Sequence, residues 1–419
     1  MSCDRRATVR GATAAALVAL IGAPGTRLAQ AAGAPLRARL QAGVAAHLAA
    51  RGKVEGFTAI STFVSRSDTD PGIAVVAGTM GRSRTAAVHD RTLFGIGSNT
   101  KAFTAALVLE LACAGRLGLE QTLGHWLPHY PAWADVTIRR LLNMTSGIPN
   151  HSEAPRFMRA QAADRFRHYT PEQLVAYAYP SPGNHLPPRG RFFYSNTNYV
   201  LAGMIAARAG GASYAHQLRQ RIFAPLGLDH SFYDPWQLPD AVTARMADGY
   251  FRGPTCSEYH TPCAVGPLAP LLGQNMRRAD LTWVGPAGGI VATPRDLARW
   301  ARALFGGQVL RPAQLAQMRQ LVSMRTGLPI ADVTPDDPEG FALGLARTCH
   351  PRLGRFWFYA GMTLGYRTAL AWFPQDDLVL AASLNSQPPE GTDQIGQLLE
   401  TLHCIVLRRG ARAQVPMAR

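Results

Sequence analysis

Two apolar runs near the N-terminus have the composition of strands. Residues 57–65 read FTAISTFVS and residues 72–80 read GIAVVAGTM, with the turn-rich SDTDPG between them. Runs of β-branched residues bounded by Gly, Pro, Asp and Ser are typical of paired strands. Residues 99–115, which include KAFTAALVLELACAG, are almost uniformly apolar and predict a helix buried on most sides.

The C-terminal third of the chain combines helix and strand patterns. Residues 294–306 predict a helix, residues 356–385 contain three strand candidates separated by turns, and residues 393–409 predict a closing helix. Between residues 126 and 281, loops rich in Pro, Gly and His separate helical pieces, and no β alternation dominates. The simplest organisation is a sheet whose strands come from both ends of the chain, with a mainly helical region inserted between them.

Length and composition agree with that organisation. The chain has 419 residues, of which 47% are hydrophobic and 17% charged, so we expect a globular protein with a large core and two lobes. We assign residues 32–125 and 282–410 to an α/β domain, residues 126–281 to an inserted helical domain, and residues 411–419 to a tail.

Residues 1–31 have the features of a secretory signal peptide. Arg5, Arg6 and Arg10 precede the thirteen-residue apolar stretch GATAAALVALIGA, and Ala29-Gln30-Ala31 is a small-x-small cleavage site. The apolar stretch is too short to span a bilayer. We therefore expect an exported protein, periplasmic or secreted. The alternatives are a buried N-terminal helix and, from the pair of arginines at positions 5 and 6, twin-arginine export.

The chain is strongly basic. Its formal charge is +16, which falls to about +13 once the leader, with four arginines and one aspartate, is removed. The arginines are scattered through every segment and no nucleic-acid-binding motif occurs, so we expect no specific nucleic-acid partner. We expect instead an electrostatic association with anionic polymers or phospholipids of the cell envelope.

The cysteines and histidines are candidates for disulfides and metal ligands. The cysteines that follow the leader are Cys113, Cys256, Cys263, Cys349 and Cys404. In an oxidising compartment this count predicts two disulfides and one buried thiol, with Cys256 and Cys263 as a local pair. Zinc bound with His260 is the alternative, but a fourth ligand is not evident, and we expect neither a metal nor a cofactor. His125 and His129, which a proline separates, are expected to be surface or loop residues.

The stretch GIGSNTKAFT, residues 95–104, carries the main chemical signal. It contains Lys101, and the only other lysine among the 43 basic residues is Lys53. If a helix begins here, the three-residue spacing puts the Ser98 hydroxyl and the Lys101 amine on one face, beside free N–H groups of the helix N-terminus. Serine needs a base to become a nucleophile, and lysine can accept a proton whereas arginine cannot. The alternative, an N-cap serine with a solvated lysine, fits poorly with so apolar a helix.

A second group of polar residues lies in FFYSNTNYV. Tyr194 and Asn196 are separated by one residue, and from a loop both can point into a cleft. A phenol there can shuttle a proton, and an amide can donate to a substrate carbonyl. Taken alone, the same residues are compatible with an ordinary turn at the start of a helix.

Four segments, residues 95–119, 141–151, 190–232 and 285–304, together resemble the serine β-lactamase and penicillin-binding-protein family, in its class C β-lactamase and D-alanyl-D-alanine carboxypeptidase branch. The resemblance covers roughly residues 35–410 in the family's order. It implies an α/β + α, β-lactamase-like fold, in which an antiparallel sheet is flanked by helices, a mainly helical domain is inserted, and the active site lies in the cleft between the two.

The resemblance also implies a role for each residue of the two motifs. Ser98 would be the acylated nucleophile and Lys101 its activating partner. Tyr194 would act as general base and acid, and Asn196 would orient the substrate. Which of Lys101 and Tyr194 takes the first proton stays open at this point.

The third motif of the family is changed in this chain. Relatives carry Lys-Thr-Gly or His-x-Gly on the strand that lines the cleft, whereas the aligned tripeptide here runs from Tyr359 to Gly361. A phenol is uncharged at neutral pH, so the cation that meets a substrate carboxylate is missing, and Arg367 is the candidate to replace it. Gly361 still allows close approach of a substrate, and the backbone N–H groups of Ser98 and Met362 form the expected oxyanion hole.

Two functional classes follow from these residues. The first is a serine hydrolase that acts through an acyl-enzyme on an ester, amide or peptide, with a small-molecule or peptidoglycan-derived substrate and a leaning toward uncharged esters. The second is a non-catalytic cell-wall-binding relative that keeps the pocket but has lost turnover. The retained Ser98, Lys101, Tyr194 and Asn196 favour the first, because a drifting chain so biased toward arginine has no reason to keep a lysine.

Overall fold

The computed structural model describes residues 34–180, 190–234, 236–253, 266–389 and 391–407. The predicted signal peptide, the predicted Cys256–Cys263 disulfide with its zinc alternative at His260, and the predicted tail lie outside the described residues. In the part of the chain that is described, no helix combines the length and the apolar character needed to cross a membrane.

Helices and strands alternate along the chain. The helices are α1 (Leu36–Glu55), α2 (Thr100–Cys113), α3 (Leu123–Trp126), α4 (Ile138–Leu142), α5 (Pro155–Ala163), α6 (Pro171–Ala178), α7 (Asn196–Gly210), α8 (Tyr214–Leu218), α9 (Asp240–Arg245), α10 (Pro294–Phe305), α11 (Pro312–Met318) and α12 (Ile395–Leu407). The strands are β1 (Ala59–Ser65), β2 (Ile73–Gly78), β3 (Phe94–Gly95), β4 (Ser231–Phe232), β5 (Tyr250–Phe251), β6 (Val291–Ala292), β7 (Leu321–Ser323), β8 (Pro329–Ile330), β9 (Glu339–Phe341), β10 (Ala346–His350), β11 (Gly354–Thr363), β12 (Tyr366–Phe373), β13 (Leu378–Leu384) and β14 (Ser386–Gln387).

The main sheet joins the two ends of the chain. Within the described residues it has nine antiparallel strands in the order β2-β1-β13-β12-β11-β10-β9-β7-β8. The register pairs Ile60 of β1 with Leu384 of β13, so an N-terminal strand lies directly beside a C-terminal one. The predicted strands at both ends of the chain and the antiparallel sheet flanked by helices are confirmed.

Side chains that alternate along the strands belong to two separate hydrophobic cores, one on each face of the sheet. On β13, Leu380 and Leu384 pack with α1 and α12, while Val379 and Ala381 point to the opposite face, where they join the core around α2. Because complete burial of a leucine side chain stabilises a fold by roughly 1.5–3 kcal/mol, the helices hold the sheet firmly from both sides. The rigid strands that result carry part of the site.

The helix after residue 98 has the predicted character. Residues Gly97–Asn99 form a turn of 3₁₀-helix that continues into α2, and α2 is buried over its first nine residues. It packs against α7, and buried residues of both helices belong to the same core. Most of residues 126–281 that are described are helix and loop, with the two-residue strands β4 and β5 among them. The exact boundaries between an α/β and a helical domain stay a prediction.

The expectation of two disulfides is wrong. Cys113 at the end of α2 and Cys349 in β10 carry free thiols, which leaves three of the five cysteines that follow the predicted leader and so one disulfide at most among them. A disulfide needs Cα atoms about 4.4–6.8 Å apart, and an odd count of cysteines in the sequence does not reveal which of them meet that distance. His125 and His129 are exposed, as predicted.

Candidate active site

Ser98 lies where the 3₁₀ turn enters α2. Its neighbours on both sides, Gly97 and Asn99, are buried, whereas Ser98 itself is partly exposed. The first N–H groups of a helix have no partner within the helix, and they give this end a partial positive charge. Ser98 is thus partly accessible and lies beside backbone groups that favour a developing negative charge.

Two glycines bring β11 against this turn. Gly97 has a φ of 52°, and a Cβ at that position would lie 2.5 Å from the amide nitrogen of Met362. A Cβ on Gly361 would lie 1.9 Å from the carbonyl oxygen of Ile96 and 2.9 Å from the amide nitrogen of Ser98. Side chains at either position would separate the strand from the turn. The predicted oxyanion pair, the amides of Ser98 and Met362, therefore lies where β11 contacts the 3₁₀ turn, a contact that we call the seam.

Lys101 is fully buried one turn after Ser98. Its Nζ donates to Ser98 Oγ at 2.9 Å, to Asn196 Oδ1 at 2.8 Å and to the carbonyl oxygen of Ala287 at 2.8 Å. The structure therefore brings the amine into direct contact with the serine, as the spacing predicted. The carbonyl of Ala287, in the turn Gly285–Ala287, is a partner that the sequence did not reveal.

Tyr194 and Asn196 flank the start of α7. Ser195 has an extended backbone and Asn196 is the first residue of the helix. From this helix N-terminus, the Tyr194 side chain reaches Ser98 and the Asn196 side chain reaches Lys101. The Tyr194 hydroxyl lies 2.6 Å from Ser98 Oγ. Both predicted proton acceptors, Lys101 and Tyr194, thus touch the same hydroxyl. The Asn196 amide accepts from Lys101 and donates through Nδ2 to Ser152 Oγ at 3.0 Å.

Tyr359 stands beside Tyr194 at the position of the altered motif. The two phenol oxygens are 3.5 Å apart, and Tyr359 is buried. Phe341 lies against both tyrosines and against Phe192, with ring centroids 5.6–6.4 Å apart. We call Phe192, Tyr194, Phe341 and Tyr359 the aromatic group. It gives this side of the site a neutral, apolar character.

The suggestion that Arg367 replaces the missing cation is wrong. Arg367 forms ion pairs with Glu55 of α1 and with Asp393, each at 2.5 Å, and its side chain is only 2% exposed. Its guanidinium also lies over the ring of Phe57, which belongs to the core on the α1 side of the sheet. Alternation along β12 therefore directs this side chain away from Ser98, a feature that depends on strand register.

His151 is a buried neighbour of the site that sequence reasoning missed. Its Nε2 lies 3.0 Å from the carbonyl oxygen of Trp283, and its Nδ1 lies 3.2 Å from Thr197 Oγ1. Burial lowers the pKa of His151 to about 4, against a weaker opposing effect of the hydrogen bond to Trp283. The imidazole is therefore neutral at physiological pH and ties the loop before α5 to α7. Its place in LLNMTSGIPNH, a segment of the family resemblance, was the signal available.

The chain matches a family of known proteins along most of its length. A family model described as Beta-lactamase matches residues 29–403. Penicillin-binding protein 4 of Amycolatopsis lactamdurans is 30% identical over 262 residues, which are 59% of this chain and 62% of that protein. Penicillin-binding protein 4* of Bacillus subtilis is 28% identical over 285 residues, 67% of this chain and 57% of that protein. The chain thus spans less than two thirds of the length of these relatives.

Solved structures share the fold. The D-stereospecific amidohydrolase from Streptomyces sp. superposes with a TM-score of 0.70 at 24% identity, covering 88% of this chain and 99% of that one. For the D-amino acid amidase from Ochrobactrum anthropi SV3, the TM-score is 0.72 at 22% identity, with coverages of 89% and 99%. The β-lactamase/D-alanine carboxypeptidase from Pseudomonas syringae gives 0.61 at 20% identity, with coverages of 89% and 99%.

Proposed function

The chain belongs to the beta-lactamase family of serine hydrolases, and from this premise we propose that it cleaves an ester or amide bond through an acyl-enzyme on Ser98. The observation that carries the proposal is the contact of one partly exposed hydroxyl with two groups able to exchange its proton. Ser98 Oγ lies 2.9 Å from the Lys101 amine and 2.6 Å from the Tyr194 phenol. Distances of this size are those required for proton transfer to a general base.

In the proposed reaction, the Ser98 oxygen forms a bond to the substrate carbonyl carbon and the carbonyl electron pair moves onto its oxygen. The hydroxyl proton passes to the Lys101 and Tyr194 pair. When the tetrahedral adduct collapses, the bond to the leaving group breaks and the leaving oxygen or nitrogen receives that proton. Water then repeats the sequence on the ester of Ser98, releasing a carboxylic acid and restoring the serine.

The seam between the 3₁₀ turn and β11 supplies the stabilisation that the adduct needs. The negative oxygen of the adduct would accept from the amides of Ser98 and Met362. Such donors are commonly worth about 3 kcal/mol each in the transition state, because they are already oriented before the charge develops. The tight contacts around Gly97 and Gly361 support this arrangement, since they hold the two amides in one place.

The substrate class follows from the neutral aromatic group. Tyr359 offers a phenol where a cation would bind a carboxylate, so we propose a substrate whose acyl part carries no carboxylate on that side, such as an uncharged ester or amide. The second candidate is binding or hydrolysis of penicillins and D-Ala-D-Ala peptides. The names of the curated relatives, both penicillin-binding proteins, favour that alternative.

The test is intact-mass spectrometry after exposure to a fluorophosphonate and, separately, to a penicillin. We expect one fluorophosphonate adduct, mapped to Ser98, in the parent and none in Ser98→Ala. Modification elsewhere, or undiminished labelling of Ser98→Ala, would remove Ser98 from the mechanism. Adduct formation without turnover of p-nitrophenyl acetate would favour the non-catalytic cell-wall-binding alternative. A stable penicillin adduct would favour the second candidate.

A further inference from the structure

The Asn196 amide is held at both ends by groups of opposite hydrogen-bonding character. Its Oδ1 accepts from Lys101 Nζ at 2.8 Å, and its Nδ2 donates to Ser152 Oγ at 3.0 Å. An amide can be turned by 180° with little change in shape, so the partners decide which end faces Lys101. The group at the other end, Ser152, therefore matters to the lysine although it does not touch it.

The direction of the Ser152 hydroxyl is itself fixed. Asn150 Oδ1 accepts from the backbone N–H of Asn196 at 3.1 Å and from that of Ser152 at 3.4 Å, both of which can only donate. Asn150 Nδ2 donates to Glu153 Oε1 at 2.8 Å, which agrees with this orientation. Ser152 Oγ must therefore donate its single proton to Asn150 Oδ1, 3.0 Å away. Toward Asn196 it can only accept, which requires Nδ2 on that side.

This orientation decides what a neutral lysine can do. The proposed function requires Lys101 in its amine form, which has two N–H groups and one lone pair. Asn196 Oδ1 and the carbonyl oxygen of Ala287 can only accept, so they take the two N–H groups. The lone pair is left for Ser98 Oγ. With the amide turned over, Nδ2 would face Lys101 and the lone pair would accept from it instead.

We propose that Ser152, oriented by Asn150, is a positioning residue that keeps the Asn196 amide turned so that the amine of Lys101 aims its lone pair at the Ser98 hydroxyl. The inference rests on the proposed function and deepens it, because it makes Lys101 the group that takes the first proton. Tyr194 then remains available to protonate the leaving group, and the proton taken up by Lys101 replaces the one that the phenol gives. Besides Tyr194, Tyr199 and His151 are titratable groups near Lys101, and His151 is neutral above about pH 4.

The experiment measures the second-order rate of Ser98 labelling by a fluorophosphonate from pH 5 to pH 10. Fluoride leaves without a proton, so the profile reports the group that takes the Ser98 proton. In the parent we expect a rise to a plateau. In Ser152→Ala the amide can turn over once Lys101 is neutral, so the plateau should fall at least about tenfold. The low-pH limb should coincide with the parent, and the midpoint should move down by about one pH unit for a tenfold lower plateau.

A purely structural role for Ser152 predicts a different profile. Loosening of the loop would lower the rate by one factor at every pH and leave the midpoint in place. Ser146→Ala is the matched control. Ser146 lies in the loop that leads to Ser152, and its hydroxyl donates to Asn198 Oδ1 of α7 at 2.7 Å. This hydrogen bond lies outside the chain of groups from Asn150 to Lys101. Ser152→Thr keeps the hydroxyl and should restore the parent midpoint.

The outcomes separate the two proposals. If the parent is not labelled at Ser98, the proposed function fails. If the parent is labelled with a rising profile and the Ser152→Ala profile runs parallel to it, the function stands and the role of Ser152 is refuted. An unchanged Ser152→Ala profile has the same meaning, and so does a Ser152→Thr variant that fails to restore the midpoint.

Discussion

At the scale of a single residue, the role proposed for Lys101 requires an amine at this position. The chain uses arginine almost everywhere, yet the basic residue buried beside the proposed nucleophile Ser98 is a lysine. A guanidinium stays protonated at any working pH and cannot accept the Ser98 proton. We therefore expect Lys101→Arg to lower labelling and ester hydrolysis at least about 100-fold although the charge is kept.

The other lysine of the chain provides the control for this variant. Lys53 is exposed on α1, and Lys53→Arg should stay close to the parent in both assays. Initial rates with p-nitrophenyl acetate measure both variants. A Lys101→Arg rate within about threefold of the parent, roughly 0.7 kcal/mol of barrier, would show that Lys101 is merely a structural cation.

Tyr359 is the residue at which specificity should change. The Tyr359 phenol offers no positive charge to a substrate carboxylate, and a charge-assisted hydrogen bond is typically worth about 1.5–3 kcal/mol. Tyr359→Lys should therefore raise kcat/KM for nitrocefin relative to p-nitrophenyl acetate by about 10-fold or more. The measurement is the ratio of the two kcat/KM values in parent and variant.

Tyr359→Phe separates the added charge from the lost hydroxyl. This variant keeps the ring against Phe341 and should leave the preference between the two substrates unchanged. Efficient nitrocefin hydrolysis by the parent, together with no effect of Tyr359→Lys, would mean that another residue supplies the charge. The leaning toward uncharged esters would then be abandoned.

At the scale of elements, the sequence predicted what is regular and long. The N-terminal strands, the buried helix α2, the helix α10 and strands β11 to β13 all have strong patterns, and all are found. Strands β7 to β10 were missed, because they are two to five residues long and Gly, Pro and Asp interrupt residues 321–350. Their pairing depends on neighbours in the sheet rather than on their own residues.

In the site, too, contacts between residues distant in the sequence could not be predicted. Ser98 lies in the 3₁₀ turn that continues into α2, the helix of Lys101, and Tyr194 and Asn196 flank one helix start, so spacing alone predicted that each pair lies together. Ser152 meets Asn196 across 44 residues, and that contact depends on how the loop before α5 packs. Arg367 was misassigned for a related reason, since the face of a strand on which a residue lies follows from register rather than from residue type.

The contact between β11 and the 3₁₀ turn gives a prediction about two elements. In Gly361→Ala the added Cβ would lie 1.9 Å from the backbone oxygen of Ile96, and a backbone atom cannot move aside as a side chain can. The strand and the turn must separate, which moves the amides of Ser98 and Met362 apart. We expect labelling of Ser98 to slow by about 100-fold, as for loss of an oxyanion donor, and stability to fall by about 1–3 kcal/mol.

Gly266→Ala is the matched control for this substitution. Among the described residues, no atom lies within 4 Å of a Cβ added at position 266, so the same change meets open space there. Urea unfolding and fluorophosphonate labelling should both stay near the parent values there. Normal labelling of Gly361→Ala would show that the seam tolerates separation and that the amide of Met362 is not part of the oxyanion hole.

At the scale of the whole molecule, a buried charge cluster links the two ends of the chain. Arg367 on β12 joins Glu55 at the end of α1 to Asp393 before α12. His47 of α1 lies nearby and stacks on Phe57. Burial, assisted by the positive charge of Arg367, lowers the pKa of His47 to about 4. The native structure therefore holds this histidine neutral, as it holds the histidine near the active site.

These two histidines make stability depend on pH in a defined direction. Between about pH 6.5 and pH 4 the unfolded chain binds a proton on each of His47 and His151 while the folded chain does not, so the free energy of unfolding must fall as pH falls. From pH 7 to pH 5 the loss should be about 2 kcal/mol for each. Partly buried carboxyls such as Glu110 and Glu339, whose pKa desolvation raises, act in the opposite sense, so variants rather than the parent alone give the test. Urea unfolding of His47→Gln at pH 7 and pH 5 should show a pH-dependent loss about 2 kcal/mol smaller than in the parent, whereas the exposed His216→Gln should match the parent. Equal losses in His47→Gln and the parent would mean that His47 titrates alike in the folded and unfolded chains, and that the cluster joining the chain ends does not exclude its proton.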